Sequence, residues 1–485
     1  MKVDLLTYGL KNYKIENATD LDIRGITANS KMVGKDFIFV AIKGTKTDGH
    51  NFIANAIEQK ATLIVVEKNA NYDNSLFEDK RVMKIIAEDS KEALSVLSAN
   101  FYGNPSEEIN LVGITGTKGK TTTAHIIKSI FDNANIKSGM IGTIANYVDS
   151  VKINSKLTTP DTVEINSLLA QMKDNACTHC AMEVSSHALA QKRVFGLKFN
   201  TAIFTNITSD HLDYHETLEN YFQAKKIFFD SVDETCNVIV NIDDPREKEI
   251  VADSRGKVFT YGKQKSDFMF DDVSFDLTGT RFRIIHDEKI FLAETKLVGE
   301  FNVYNAVAAF AAAIVSGLSP QVALKGIRNM KNVPGRFEVY SNVNKMIVID
   351  YAHTTDSLKK VLQLITEVKN GKKVITVFGC GGNRDKIKRP EMGRIASQLS
   401  DKVIITSDNP RSEDPHLIID DIISGIDNRN FTVIENRRKA IETAILDAED
   451  NSIILIAGKG HENYQEVNGV RNHFSDKEIA LEFLN

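Results

Sequence analysis

The sequence predicts a three-domain α/β protein, and three observations carry that expectation. The chain has 485 residues, which at ~100 to 200 residues per domain amounts to about three domains. Two long segments alternate short apolar runs with stretches of helical period, the pattern of mostly parallel sheets covered by helices. A glycine- and lysine-rich turn lies where one of those runs hands over to a helix.

The elements follow in order. Residues 1–100 mix strand candidates at 36–42 and 61–67 with helical stretches, giving a small N-terminal α/β domain of unfixed topology. Residues 101–333 form the central domain: a buried strand at 111–115 precedes a helix over 120–133 with Ile126, Ile127, Ile130 and Phe131 on one face. Strands are expected at 137–144, 179–184, 201–207 and 237–242, with helices at 163–173 and 218–230 between them. After Val333-Pro334-Gly335 the pattern restarts as a C-terminal domain over 334–485. Its strands at 346–350, 373–378, 402–406 and 452–456 alternate with helices near 356–369, 389–399, 416–425 and 437–448, the signature of a Rossmann-like doubly wound sheet.

Composition narrows the function. Hydrophobic residues at 42% and charged residues at 26% are ordinary globular usage, which excludes wholesale disorder, collagen and coiled coil. Sixty Lys+Arg against 65 Asp+Glu, a formal charge of -5, leaves no general attraction to nucleic acid or anionic lipid. The longest apolar stretch, 306–315, is far short of the ~20 residues needed to cross a bilayer, and no basic segment leads into an apolar run at the N-terminus. A soluble, cytoplasmic protein without membrane insertion is expected, and a monomer. The four cysteines, 177, 180, 236 and 380, are too scattered for a disulfide framework, and the CxxC at 177–180 lacks a second pair for zinc, so they read as core residues.

Gly113-Ile-Thr-Gly-Thr-Lys-Gly-Lys-Thr121 sits at the strand-to-helix junction, where backbone N–H groups and the helix dipole converge on an anion. Gly116, Thr117, Lys118 and Gly119 would wrap a phosphate chain, Lys120 would bridge the β- and γ-phosphates, and Thr121, with Thr122 behind it, would present a hydroxyl to Mg²⁺. The literal G-x-x-x-x-G-K-[ST] pattern is missed because Ile114 stands where its first glycine belongs; the shorter G-T-x-G-K-T fits. The central domain is therefore expected to be a P-loop mononucleotide-binding domain.

GTKGKTTT is joined by EVSSHAL at 183–189, TNITSDHLDYH at 205–215, AK at 224–225, GEFNVYNAVAA at 299–309, PGRFE at 334–338, DYAH at 350–353, GCGGNRDKIKRPEM at 379–392, SDNPR at 407–411 and GKGHE at 458–462. In these ordered motifs the chain resembles the ATP-dependent Mur ligases of peptidoglycan synthesis, and among them the members that add the third amino acid to UDP-MurNAc-L-Ala-D-Glu. Over the first hundred residues the likeness is thin: Ser30 and the loop from Gly44 to Gly49 occupy positions where the family holds the uridine nucleotide.

The resemblance implies ATP and Mg²⁺ as cofactors and assigns roles. Glu183 and His211, each following a strand, would join Thr121 at the metal; magnesium prefers oxygen, so His211 reads either as a ligand or as a residue behind the ligands, and the family supports a ligand to a second Mg²⁺. Lys225 follows on the next helix. An ammonium beside two divalent cations is repelled, and in relatives the matching lysine is a carbamate; the alternative is a solvated helix lysine. Lys120, His211 and Lys225 are thus the expected catalytic groups. Asn302 and Asn305 precede an Ala-rich helix, a capping position, and the resemblance puts Asn302 on the adenine side of ATP. Arg336 and Asp350 reach ATP in the family, where closure of the last domain completes the site. Thr158, Thr159, Ser185, Gln191 and Arg193 match positions holding the UDP-MurNAc-dipeptide. Ser185-Ser186-His187 is no hydrolase triad, because adjacent residues at a strand end cannot all face one centre.

In the last domain Asp350 and the loops beginning at Gly379, Ser407 and Gly458 all follow carboxyl ends of strands, the expected place for a small polar ligand. Arg384 and Arg411 can each take a carboxylate, while Glu462 and Asn409 can receive an ammonium, with Asp408, Pro410 and Gly458 shaping the loops. Such a pocket suits a second amino-acid head group, which meso-diaminopimelate has and lysine lacks. The DNPR run resembles the diaminopimelate-adding form, with Arg411 as the discriminating residue. Thr355 stands where proline is usual and Asn383 where aspartate is usual. The expected reaction is attack of the D-Glu γ-carboxylate on ATP to give an acyl phosphate, then attack by the diaminopimelate amine. The rivals are the L-lysine-adding form, the D-Ala-D-Ala adder, a folylpolyglutamate synthetase, and a P-loop nucleotide switch without ligase activity.

Overall fold

The computed structural model describes residues 3–19, 22–44, 47–78 and 82–484. The chain folds into two compact units, Met1–Asp271 with Ile284–Phe291 and Tyr304–Ile327, and Asp272–Arg283 with Leu292–Val303 and Arg328–Asn485.

The first unit carries two sheets. Five N-terminal strands lie in the order Tyr13–Glu16, Met83–Ala87, Leu63–Glu67, Phe37–Val40, Gly25–Thr27, all parallel except the first. The short LIVVE and FIFV strands are almost wholly buried, as expected of central parallel strands. In the central sheet six neighbours run parallel: Lys257–Gly262, Asn237–Asn241, Thr201–Phe204, Asn110–Thr115, His179–Glu183 and Ser138–Ile141. Ala145–Val148 and Val151–Asn154 extend one side antiparallel. Phe268–Asp276, Gly279–His286 and Lys289–Thr295 follow, an alternating meander that the βα reading missed and whose residues fall partly in the second unit.

Helix Lys120–Asn133 has the expected bounds and buries Ile126, Ile127, Ile130 and Phe131. Leu218–Asp230 and Thr162–Asp174 also match. The strand expected over 137–144 instead stops at Ile141, because the backbone turns at Gly142 so that the Thr143 N–H reaches the Glu183 carboxylate at 2.8 Å. Asp89 caps helix Ser90–Phe101 and, with Glu92, pairs with Lys192 at 2.8 and 2.5 Å. The N-terminal and central domains are tied together at that point, just before Arg193.

The second unit is built on the order Glu338–Ser341, Lys345–Asp350, Ser452–Ala457, Lys373–Phe378, Lys402–Ile405, Phe431–Val433, with only the first strand antiparallel. Helices Thr355–Val368 and Lys388–Leu399 pack with their apolar stripes on one face, and Arg437–Leu446 with Asp476–Leu484 on the other. Thr355 falls at the first position of its helix, after Thr354, which forms a capping box with Ser357. That position leaves an N–H unpaired anyway, so proline and threonine are both tolerated there. The four cysteines are free and buried. Among the described residues no helix is long and apolar enough to cross a membrane.

Candidate functional site

The first site lies at the carboxyl edge of the central sheet. Phe204 pairs in register with Thr115, so Thr205 and Asn206 arrive beside the phosphate turn. The Thr205 hydroxyl donates to the Lys118 carbonyl at 2.7 Å, and Asn206 receives the Lys118 N–H at 3.0 Å and, through its own carbonyl, the Thr117 N–H at 2.8 Å. The Thr117 hydroxyl is shared with the Thr208 backbone and the Tyr221 hydroxyl. Gly119 has φ of +93° and leaves no room for a Cβ against the Asn305 side-chain oxygen; glycine is required there on both counts. The motif reading had no role for Thr205 and Asn206, although their place right after a neighbouring strand was the available signal.

Glu183 is the hub of this edge. It is fully buried, and its carboxylate accepts from the Thr121 hydroxyl at 2.8 Å and from the Thr143 N–H and hydroxyl at 2.8 and 3.0 Å. Gly142 lies so close that a Cβ would collide with the Glu183 carboxylate. Thr158 is bonded to Thr143, and Thr159 bonds the Glu183 carbonyl and Ser185. The Arg193 guanidinium donates to the Thr159 carbonyl at 2.8 Å and to Gln191, and Gln191 reaches the Tyr214 hydroxyl. All five expected dipeptide-site residues of this domain therefore form one connected strip ending at Glu183.

Lys120 and Lys225 converge on a single acceptor, donating to the Gly116 carbonyl at 2.7 and 2.9 Å. Lys225 is buried, with its ammonium 4.5 Å from the Tyr221 ring centre. Burial first, and the Lys120 charge second, pull its pKa well below the ordinary lysine value, so the reading of a solvated helix lysine is overturned. His211 has φ of +54° and precedes the short helix Leu212–His215. Its ring contacts those of His187 at 4.9 Å and Tyr221 at 6.2 Å. Burial holds His211 below its ordinary pKa against the opposing pull of Asp210. Ser185 caps its helix, Ser186 bonds His215 at 3.0 Å and His187 stacks toward Tyr214, so these residues face different centres.

Asn302 and Asn305 do not cap the Ala-rich helix. That helix runs Glu300–Val315 and contains both; the Asn302 amide donates back to the Val298 carbonyl at 2.9 Å, and Asn305 accepts from the Thr123 hydroxyl. Ser30 opens the turn Ser30–Met32 after its strand. Of the Gly44 to Gly49 loop, Thr45 and Lys46 lie outside the described residues.

The second site lies at the carboxyl edge of the second unit's sheet, where Asp350 ends one of four mutually parallel strands and Gly379, Thr406 and Gly458 follow the other three. Asp350 accepts the Phe337 N–H at 2.8 Å, and the Arg336 guanidinium lies 5.0 Å from the Tyr351 ring. Arg411, at φ +53°, donates to the Gly382 carbonyl at 2.7 Å. A Cβ on Gly381 would lie 3.0 Å from the Arg411 guanidinium and 3.7 Å from the Arg384 chain, so the two arginines flank one loop. Asn409 donates to Glu462 at 2.8 Å, and burial with the nearby Asp408 charge raises the Glu462 pKa. Asn383, at φ +54°, accepts from the Ser412 hydroxyl and N–H at 2.9 and 3.1 Å. A carboxamide suits the left-handed backbone and serves that turn without charge.

Asn409 corrects one expectation. Its oxygen already accepts from Lys459 and from the Glu466 N–H, each at 2.9 Å, so it has nothing left to receive an ammonium. Buried ion pairs that motif reading overlooked brace this edge. Arg389 is fully buried, pairs with Asp421 and Glu413 at 2.9 and 3.0 Å and reaches the Gly381 carbonyl. Arg437 grips Asp476 at 2.7 Å through two nitrogens and bonds the Ala457 carbonyl.

Three family descriptions match the chain: Mur ligase family, catalytic domain over residues 22–102, Mur ligase middle domain over 114–313, and Mur ligase, glutamate ligase domain over 335–460. The UDP-N-acetylmuramoyl-L-alanyl-D-glutamate--2,6-diaminopimelate ligases of Clostridium tetani and Phocaeicola vulgatus are 41% and 42% identical, spanning 99% and 100% of this chain and 97% and 99% of theirs. A solved structure of a ligase of that name aligns with a TM-score of 0.70 at 30% identity over 95% of this chain and 94% of its own. A folylpolyglutamate synthase from Mycobacterium tuberculosis shares the fold at a TM-score of 0.62 and 17% identity over 75% of this chain and 91% of its own. With three matching domains in order and full-length relatives at about two-fifths identity, the chain belongs to the Mur ligase family.

Proposed function

We propose that this chain is an ATP-dependent ligase that adds meso-diaminopimelate to UDP-MurNAc-L-Ala-D-Glu, acting as a cytoplasmic monomer built of domains 1–100, 101–333 and 334–485. The observation that carries the reading is the second site, where Arg384 and Arg411 flank Gly381 while Glu462 stands beside Asn409. Cations for a carboxylate and a carboxylate for an ammonium match an amino-acid head group, in keeping with the names of the relatives. L-Lysine carries no carboxylate at that end and would forgo the ~1.5–3 kcal/mol of a charged hydrogen bond to the half-buried Arg411.

In this reading Gly116, Thr117, Lys118, Gly119 and Thr122 cradle the triphosphate, Lys120 meets the transferring phosphoryl group, and Asn302, Arg336 and Asp350 complete nucleotide binding. Ser30, Thr158, Thr159, Ser185, Gln191 and Arg193 hold the UDP-MurNAc-dipeptide with the D-Glu γ-carboxylate toward the turn. That carboxylate attacks the γ-phosphorus, ADP leaves, and the amine presented by the second site attacks the acyl phosphate and expels phosphate. Buried Thr121 and Glu183 supply hard oxygen donors suited to Mg²⁺. Among the described residues no three His, Cys, Asp or Glu cluster as a metal set, so Glu183 needs a further anion. Lys225 fits that need: its neutral amine can add to CO₂, forming an N–C bond and releasing a proton, to become a carbamate. His211 would serve as a further ligand. Bound Mg²⁺ would neutralise charge on the phosphates.

Phosphate release is measured with ATP, Mg²⁺, UDP-MurNAc-L-Ala-D-Glu and single amino acids. Release that depends on meso-diaminopimelate is expected; release with L-lysine instead, or slow hydrolysis indifferent to amino acids, refutes the reading. Arg411→Ala is expected to raise the KM for diaminopimelate by about 100-fold, the ~3 kcal/mol of a charged hydrogen bond, and to leave nucleotide binding intact.

A further inference from the structure

Lys459 is a core residue by burial, with no exposed surface, yet it carries a cation. Its ammonium donates to the Asn409 oxygen at 2.9 Å and to the Tyr464 carbonyl at 2.7 Å, and lies 3.7 Å from Glu462. The rings of Tyr464 and Phe474 stand over it at 5.7 and 5.8 Å. Tyr464 begins the hairpin Tyr464–Val467 with Val470–His473, and that hairpin supplies the Glu466 N–H to the same Asn409 oxygen at 2.9 Å and the Glu466 carbonyl to the Arg411 N–H at 3.0 Å. One buried ammonium therefore fastens the hairpin to the Asp408-Asn-Pro-Arg411 loop.

The contacts settle which way the Asn409 amide points. Lysine and a backbone N–H only donate, so the atom receiving both is the carbonyl oxygen, and both of its lone pairs are used. The NH₂ group has one hydrogen on Glu462 at 2.8 Å, which leaves one N–H for a ligand. We infer that Lys459 is a specificity-determining positioning residue: it holds the Asn409 amide with its N–H edge toward the amino-acid pocket, so that Asn409 reads a carboxylate. This inference rests on the ligase reading above. Asn409 then acts with Arg411 and Arg384 on the distal carboxylate of a doubly headed amino acid, and Glu462 takes the ammonium. A ligand without that carboxylate leaves the N–H edge unpaired, which is where discrimination comes from.

Lys459→Met keeps the length of the side chain and removes its donors. The measurement is kcat/KM for meso-diaminopimelate and for L-lysine at saturating ATP and UDP-MurNAc-dipeptide, together with KM for ATP and the melting temperature. A tenfold or greater fall in the diaminopimelate-to-lysine ratio is expected, carried by KM for diaminopimelate, with KM for ATP within twofold. A merely structural role would lower kcat with every amino acid alike and leave the ratio untouched; that outcome in a folded variant overturns the inference. Should Lys459→Met fail to fold, Asn409→Asp decides: an acceptor on both edges is expected to raise KM for diaminopimelate more than tenfold, and an unchanged KM overturns the inference. Wild-type protein that releases no phosphate with diaminopimelate sinks the ligase reading itself. A diaminopimelate-specific wild type whose folded variants keep its ratio and its KM leaves that reading standing and sinks the role of Lys459.

Discussion

The two strand-edge sites solve the problem of holding a charged ligand in opposite ways. Around Glu183 the groups that hold the charge are neutral: the Thr143 N–H and the Thr121 and Thr143 hydroxyls position a single buried carboxylate. Around Asn409 the scaffold is itself charged, with Lys459, Arg437 and Asp476 entirely buried behind the loops that face the ligand. A neutral scaffold leaves the functional charge free to be altered at little cost to folding. A charged scaffold joins specificity to stability, because removing one partner strands the other in a low dielectric.

The largest expected effect tests the charged scaffold. Asp476→Asn leaves Arg437 with the Ala457 carbonyl and with Asp408 at 3.9 Å, and is expected to cost about 3–5 kcal/mol in urea unfolding, the usual consequence of orphaning a buried ion. Replacing both partners, Arg437→Met with Asp476→Leu, is expected to recover at least half of that loss. If the single variant unfolds within ~1 kcal/mol of wild type, the contrast between the scaffolds fails on this side.

The neutral scaffold makes the reverse prediction. Glu183→Gln keeps the shape: with its oxygen on the Thr143 N–H, its NH₂ group meets the Thr121 and Thr143 hydroxyls, which can turn to accept. Stability is expected to stay within ~1 kcal/mol of wild type, since each donor keeps a partner and the loss of charge-assisted bonds is offset by the relief of a buried charge. Diaminopimelate-dependent phosphate release is expected to fall about 100- to 1000-fold, the range found when one electrostatic stabiliser is removed. A fall of less than tenfold would separate Glu183 from the chemistry.

The same contrast explains what could be read from the sequence. The neutral scaffold is written locally: the apolar run at 111–115 and the helical period from Lys120 place the turn, and the structure puts Lys120–Asn133 where the period does. Errors arise where tertiary contacts override local pattern. The strand from residue 138 stops short because Thr143 turns to Glu183, and Asn302, in a sequence suited to capping, spends its amide on Val298. The charged scaffold is written non-locally, since Arg437 and Asp476 are 39 residues apart and Lys459 and Asn409 are 50 apart. No window of sequence shows such a pair, which is why the motifs revealed Asn409 and Glu462 but gave the wrong polarity to the asparagine. The meander from Phe268 escaped for a related reason: it alternates with period two inside a chain otherwise read for βα units.

The smallest effect is expected at the joint between the N-terminal and central domains, where a partly exposed ion pair stands between the two extremes. Asp89 accepts the Lys91 and Glu92 N–H groups as a helix cap and pairs with Lys192, the side chains being about a third exposed. Burial pushes the Asp89 carboxyl up, but the Lys192 hydrogen bond, the cap N–H groups and the Lys192 charge outweigh it and hold the carboxyl below its ordinary value. A depressed folded-state pKa means that the ionised form stabilises the fold above the ordinary carboxylate pKa of about 4, and that this contribution fades as pH falls through the lower folded value. Asp89→Ala is therefore expected to cost about 1–2 kcal/mol at pH 7, mostly from the lost cap, with the solvent-screened pair adding less. Urea unfolding of both proteins should show the gap narrowing only below about pH 4, and raised salt should shrink it slightly at pH 7. A gap that stays constant or widens as pH falls through about 4 would mean that the folded carboxyl titrates at or above its ordinary value, and the joint would then belong with the neutral scaffold.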